Sequence, residues 1–123
     1  MQYHINDEKT IHIIKEQIAC QFPDFVNFSK LDLKDHIYFY FGSLGSYIQF
    51  CIDEENIEET KKIFKFLNEL ILETDDLEFL NMIIIQVFEK LYDKRTYFDL
   101  GKKHLCRKGV DLLLSISDNF NLN

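Results

Sequence analysis

The side chains that could do chemistry are concentrated in one stretch of the chain. Ten of the 21 acidic residues lie between Asp53 and Glu78: Asp53, Glu54, Glu55, Glu58, Glu59, Glu69, Glu73, Asp75, Asp76 and Glu78. Only Lys61, Lys62 and Lys65 oppose them, which leaves seven negative charges on 26 residues, as many as the −7 of the whole chain. Three kinds of chemistry could use such a run. A calcium site needs ligands at alternating positions with a glycine for the turn, and this spacing does not follow that rule. Acid–base catalysis needs carboxylates of unlike environment in a cleft, whereas carboxylates at helix starts are commonly solvated and all ionised. The third is attraction of a basic partner surface. It competes with a plain structural role, because acidic residues in a first helical turn offset the helix macrodipole.

The remaining candidates carry less. His4, His12, His36 and His104 fall in no HxxxH, HExxH or HxE pattern, so zinc lacks its usual ligand spacing. Cys106 follows His104 by two residues, and on one helix two such positions point about 200° apart, which opposes a nucleophile–base pair. Gly42-Ser43-Leu44-Gly45 resembles half of a phosphate loop without the following Gly-Lys and Ser or Thr, so loop glycines serving backbone geometry are expected. Lys94, Arg95, Lys102, Lys103, Arg107 and Lys108, with Tyr97 and Phe98 among them, could meet a nucleic acid through phosphate contacts and stacking. A net charge of −7 opposes that. No catalytic, metal or cofactor constellation can be assembled, and a non-enzymatic binder is the expectation.

The elements that must position these residues read as helices. The chain has 123 residues, 46% of them hydrophobic and 28% charged, enough for one domain (1–123) with a core. Four glycines and one proline favour helices over a many-turned β structure. Asp7 to Phe22 has helical spacing, with Asn6 or Asp7 as cap; Pro23 ends it and suits the first turn of a short helix over Asp24 to Ser29. Residues 30–52 are ambiguous. Ile37 to Phe41 is β-prone, and a hairpin near residues 37–51 fits, but Leu44, Tyr47, Ile48, Cys51 and Ile52 follow helical steps. The reading adopted is a helix over Leu44 to Asp53 after a short extended stretch. Ile63, Phe64, Leu67, Leu70 and Ile71 mark the next helix. Leu77 to Tyr92 is apolar nearly all round, which predicts a central, surrounded helix capped by Asp75 or Asp76. A last stretch from Tyr97 to about Ser117 is helical, with Gly101 or Gly109 as a kink, a break or a close contact. The expectation is an all-α bundle of five or six helices. An N-terminus with acidic residues, no apolar run of about 18 residues, and three scattered cysteines (Cys20, Cys51, Cys106) predict a cytoplasmic protein with reduced thiols and no membrane contact.

With these residues in view, the chain resembles the small acidic immunity proteins of bacterial polymorphic and contact-dependent growth-inhibition toxin systems. The segments that carry the resemblance are IACQFPDF, FYFGSLGSYIQFCIDE and KIFKFLNELILETDDLEFLNMIIIQVFEKLYD, together spanning residues 18–93. The resemblance implies a protein that binds and neutralises a cognate toxin, often a basic nuclease domain, with no cofactor. Asp53, Glu54, Glu55, Glu58, Glu59, Asp75, Asp76 and Glu78 would then face the toxin's Lys and Arg, with Tyr47 as an aromatic anchor or, equally, a core residue. The alternative is a non-catalytic adaptor or a module that assembles with itself.

Overall fold

Ile37, Tyr40, Phe41, Leu44, Tyr47, Ile48, Cys51 and Ile52 recur at three- and four-residue steps. In the computed structural model of the chain, which describes residues 3–120, they form the buried face of one continuous helix, α3 (Ile37–Asp53). The extended stretch over Ile37 to Phe41 and the hairpin alternative are both replaced by this helix, and no strand occurs among the described residues. The apolar stripe already ran back to Ile37, and burying it outweighs the β-preference of Ile-Tyr-Phe-Tyr-Phe. His36 starts α3, its Nδ1 accepting from the Tyr38 N–H at 3.1 Å, and the Tyr40 hydroxyl donates to the Asp32 carbonyl at 2.7 Å.

The other helices begin close to where their caps predict. Asp7 caps α1 (Glu8–Gln21), accepting from the Lys9 N–H at 3.2 Å and the Thr10 hydroxyl at 2.6 Å. Pro23 opens α2 (Pro23–Ser29), where its missing N–H costs no hydrogen bond. Asn56 caps α4 (Ile57–Leu72), and Asp76 caps α5 (Leu77–Gln86). A 3₁₀ turn (Phe88–Tyr92), α6 (Arg95–His104), α7 (Arg107–Leu114) and a last short turn (Ser117–Asn119) follow. The described residues thus hold seven α-helices instead of five or six: two long runs are each divided, the first into α5 and a 3₁₀ turn, the second into α6 and α7.

Both divisions have a side-chain cause. The first falls at Val87, against α3. A Cβ at Gly45 would lie 2.8 Å from the Gln86 carbonyl oxygen, and one at Gly42 would lie 2.9 Å from the Gln86 side-chain oxygen. The glycine pair is therefore not in a loop; it lies on a helix, where Gly45 lets another backbone approach and Gly42 admits the Gln86 side chain. Lys90 bonds back across this contact, its Nζ donating to the Gly42 carbonyl and, at 2.9 Å, to Ser46 Oγ; burial holds its pKa below the ordinary lysine value. Gln49 Nε2 donates to the Lys90 carbonyl and to Asp93 Oδ2, each at 2.8 Å, and that carbonyl also accepts from the Asp93 N–H at 3.2 Å, so α3 ties down the end of the 3₁₀ turn. The second division falls at Leu105–Cys106, at neither Gly101 nor Gly109. Asn68 of α4 splints it: its Nδ2 donates to the His104 carbonyl at 3.0 Å, and its Oδ1 accepts from the Cys106 N–H at 2.8 Å.

The hub is α3 and not the 77–92 segment. It packs against α1, α2, α4, α5, α6 and the 3₁₀ turn. α5 keeps Phe79, Leu80, Met82 and Ile83 inside but leaves Leu77 and Ile85 exposed. Phe22, Phe25, Phe41, Phe64, Phe79 and Phe88 are fully buried in one contiguous core, with Phe41 edge-on to Phe79 at 6.0 Å. Among the described residues, no helix is long and apolar enough to cross a membrane.

Candidate functional site

The acidic residues do not form one face. α4 has 16 residues and so separates its two ends by about 24 Å. Asp53, Glu54, Glu55, Glu58 and Glu59 lie at the α3–α4 turn, while Asp75, Asp76 and Glu78 lie at the α4–α5 junction. Several of them already have internal work. Asp53 accepts from the Tyr97 hydroxyl, 2.8 Å to each oxygen, and meets Lys94 at 3.5 Å, tying α3 to α6. Lys94 and Tyr97 are both raised in pKa, Lys94 first by its hydrogen bond with Tyr97 and then by Asp53, Tyr97 first by burial and then by Asp53. Glu59 is half-buried and accepts from the Tyr47 hydroxyl at 2.7 Å. Asp76 caps α5 and accepts from the Ile5 N–H at 2.8 Å, holding the N-terminal segment. Glu54, Glu55 and Glu58 remain as an exposed acidic rim at the α3–α4 turn, and Asp75 and Glu78 are exposed at the far end.

The turn that carries the rim is held by its backbone. The Asn56 N–H bonds to the Cys51 carbonyl at 2.8 Å and the Glu55 N–H to that of Ile52 at 3.0 Å, the paired closure of a Schellman motif. Glu55 sits at the left-handed position with φ 58°, where glycine is usual. A side chain there costs about 1 kcal/mol. Glu55→Gly is therefore expected to stabilise the protein by roughly 0.5–1 kcal/mol, read as a melting temperature raised by a few degrees. A loss of stability would mean that the Glu55 side chain has a structural role in the turn.

Beside the rim is an aromatic notch. Phe28 of α2 and Phe50 of α3 stand 5.4 Å apart with their planes at 37°, and they are 40% and 46% exposed. Tyr47 lies beneath them, 5.2 Å from Phe28 and 6.4 Å from Phe50, and is only 3% exposed. Tyr47 is thus the buried floor of the notch and not a protruding anchor. Its phenol is pushed far above the ordinary value, by burial first and then by its hydrogen bond to Glu59. Burial likewise pushes the Cys51 thiol up to about 11, with Glu59 and Asp24 adding to it. The hollow, about 400 Å³, is walled by Asp24 and Glu54 as well, and among the described residues no lysine or arginine lines it. Sequence reasoning missed Asp24, Phe28 and Phe50. A signal was present: Phe50 falls off the buried stripe of its helix, between Ile48 and Cys51.

The other candidates resolve into structure. Tyr97 and Phe98 are buried and cannot stack on bases. Lys108 donates to the Ile71 and Thr74 carbonyls at 2.9 and 3.0 Å, closing the end of α4. His104 ends α6 and Cys106 lies in the break before α7; His104 stacks on Phe64 at 5.9 Å, and burial, followed by Lys103, lowers its pKa. Among the described residues, no three His, Cys, Asp or Glu side chains are grouped to hold a metal ion.

What fold and surface define is an all-helical protein with an acidic, aromatic end. The chain belongs to a family described as a domain of unknown function, DUF7674, whose profile matches residues 15–108 and so takes in the notch and the acidic turn. No curated protein and no solved structure matches it.

Proposed function

We propose that this protein is a non-catalytic binder of a basic protein domain, acting as an immunity protein acts on its cognate bacterial toxin, with a nuclease domain as the favoured target. The observation that carries the reading is the exposed rim of Glu54, Glu55 and Glu58 beside the half-exposed Phe28 and Phe50. An apolar anchor next to like-signed charge suits a partner whose lysines and arginines otherwise hold nucleic-acid phosphates. The charge speeds encounter, and the rings supply much of the lasting contact.

Capture of the tagged protein from its own cells tests this. The expected result is one basic polypeptide whose association rate falls steeply as ionic strength rises. Recovery of a partner without basic character, or with a salt-insensitive rate, would overturn it. The second reading, a self-assembly or adaptor module, draws on Leu72 and Leu77, exposed by 63% and 76% at the α4–α5 junction. It predicts that the protein recovers only itself, through a contact indifferent to salt.

A further inference from the structure

We propose that the notch between α2 and α3 takes an arginine side chain of the partner. This rests on the binder reading above and specifies what that surface recognises. Phe28 and Phe50, 40% and 46% exposed, line the hollow together with Asp24 and Glu54, and among the described residues no lysine or arginine lines it beside those two carboxylates. Four other rings carry one of the protein's own cations, among them Phe22 with Lys62 at 5.5 Å, Tyr97 with Lys94 at 5.3 Å and Phe98 with Arg95 at 5.6 Å, whereas the exposed Tyr38 and Phe39 carry none among the described residues. No such contact covers Phe28 or Phe50 among the described residues.

The chemistry of the hollow selects its occupant. An aromatic face attracts a cation, and a planar guanidinium stacks on a ring while its edge N–H groups reach a carboxylate. An apolar side chain would dehydrate Asp24 and Glu54 without pairing them, which costs free energy. Lysine offers a point charge that cannot stack and fork at once. A second copy of this chain brings a net charge of −7 towards the same acidic rim.

The test is a titration of the full-length protein with a blocked peptide, acetyl-Gly-Arg-Gly-Arg-Gly-amide, following the ring signals of Phe28 and Phe50 by NMR. Saturable shifts of both rings are expected. The lysine peptide should bind several-fold more weakly, and the uncharged citrulline peptide should leave the rings unmoved. Phe50→Leu, at an exposed position that keeps an apolar side chain, should weaken arginine binding by about tenfold without unfolding the protein. No shift with the arginine peptide, equal shifts with citrulline, or full binding by Phe50→Leu would each overturn the proposal. A dimer abolished by Phe50→Leu would also overturn it, assigning the notch to a second copy. Binding of a captured basic partner is measured in parallel. A partner that binds wild type and Phe50→Leu equally sinks the arginine notch and leaves the binder reading standing. Arginine-specific shifts without any basic partner do the reverse.

Discussion

Replacing Gly45 by leucine is expected to destabilise the fold by about 3 kcal/mol or more, the upper end for overpacking a core. A Cβ at this position would already lie 2.8 Å from the Gln86 carbonyl oxygen and 3.0 Å from Lys90 Cδ. The first of these atoms is backbone, so relief requires the end of α5 and the following 3₁₀ turn to move away from α3. That movement would strain the bonds of Lys90 to Gly42 and Ser46 and of Gln49 to the Lys90 carbonyl. Gly45→Ala sets two effects against each other. Alanine gains about 1 kcal/mol of helix propensity, and the overlap costs about 1–3 kcal/mol. A net loss is expected, because the opposing atom cannot rotate out of the way. Urea unfolding of both variants measures it. Against a typical total stability of about 5–15 kcal/mol, a loss of about 3 kcal/mol is a large fraction. Alanine raising stability by about 1 kcal/mol would contradict the close approach of the two segments.

The largest expected effect on binding comes from reversing the acidic rim. Glu54→Lys, Glu55→Lys and Glu58→Lys together should weaken the basic partner at least about 100-fold, since like charges brought together at an interface cost several kcal/mol. The rate of association should fall most, and its dependence on salt should invert from slowing to relief. The fold should tolerate the change, because all three side chains are exposed. Part of the cost is structural: Glu58 lies in the first turn of α4, where a negative charge is worth about 0.3–1 kcal/mol. Glu78→Lys, at the far end of α4, is the control and should change affinity less than about threefold, near the noise of a surface substitution. Calorimetry with the captured partner separates these outcomes. Equal losses at the two ends would mean that the partner spans α4.

Local signals were legible wherever the sequence and its neighbours agreed. Asp7, Pro23 and Asp76 mark helix starts because capping acts within a few residues, and the helix over 57–72 follows from one apolar stripe. Reading failed where a distant segment decides. Ile37 to Phe41 is β-prone in isolation, and only burial against six other elements makes it helical. Nothing near residue 87 breaks the helix there; the cause is Gly42, Gly45 and Gln49 about 40 residues away. Asn68 could have been noticed as a polar residue beside an apolar stripe, but its role at Leu105–Cys106 needs the two helices side by side. The candidate site was half legible. Its charge was visible as composition, and of the two roles open to Tyr47, anchor or core residue, its burial fits the second. The division of the acids between the two ends of α4, and the internal pairing of Asp53, Glu59 and Asp76, depend on tertiary contacts that charge counting cannot supply.

The measurement that tests the central claim most directly is growth of cells producing the captured basic partner. The partner alone is expected to arrest growth, co-production of this protein to restore it, and the Glu54→Lys, Glu55→Lys, Glu58→Lys variant to fail while remaining folded. A partner harmless on its own, or a rescue unchanged by reversing the rim, would contradict the account.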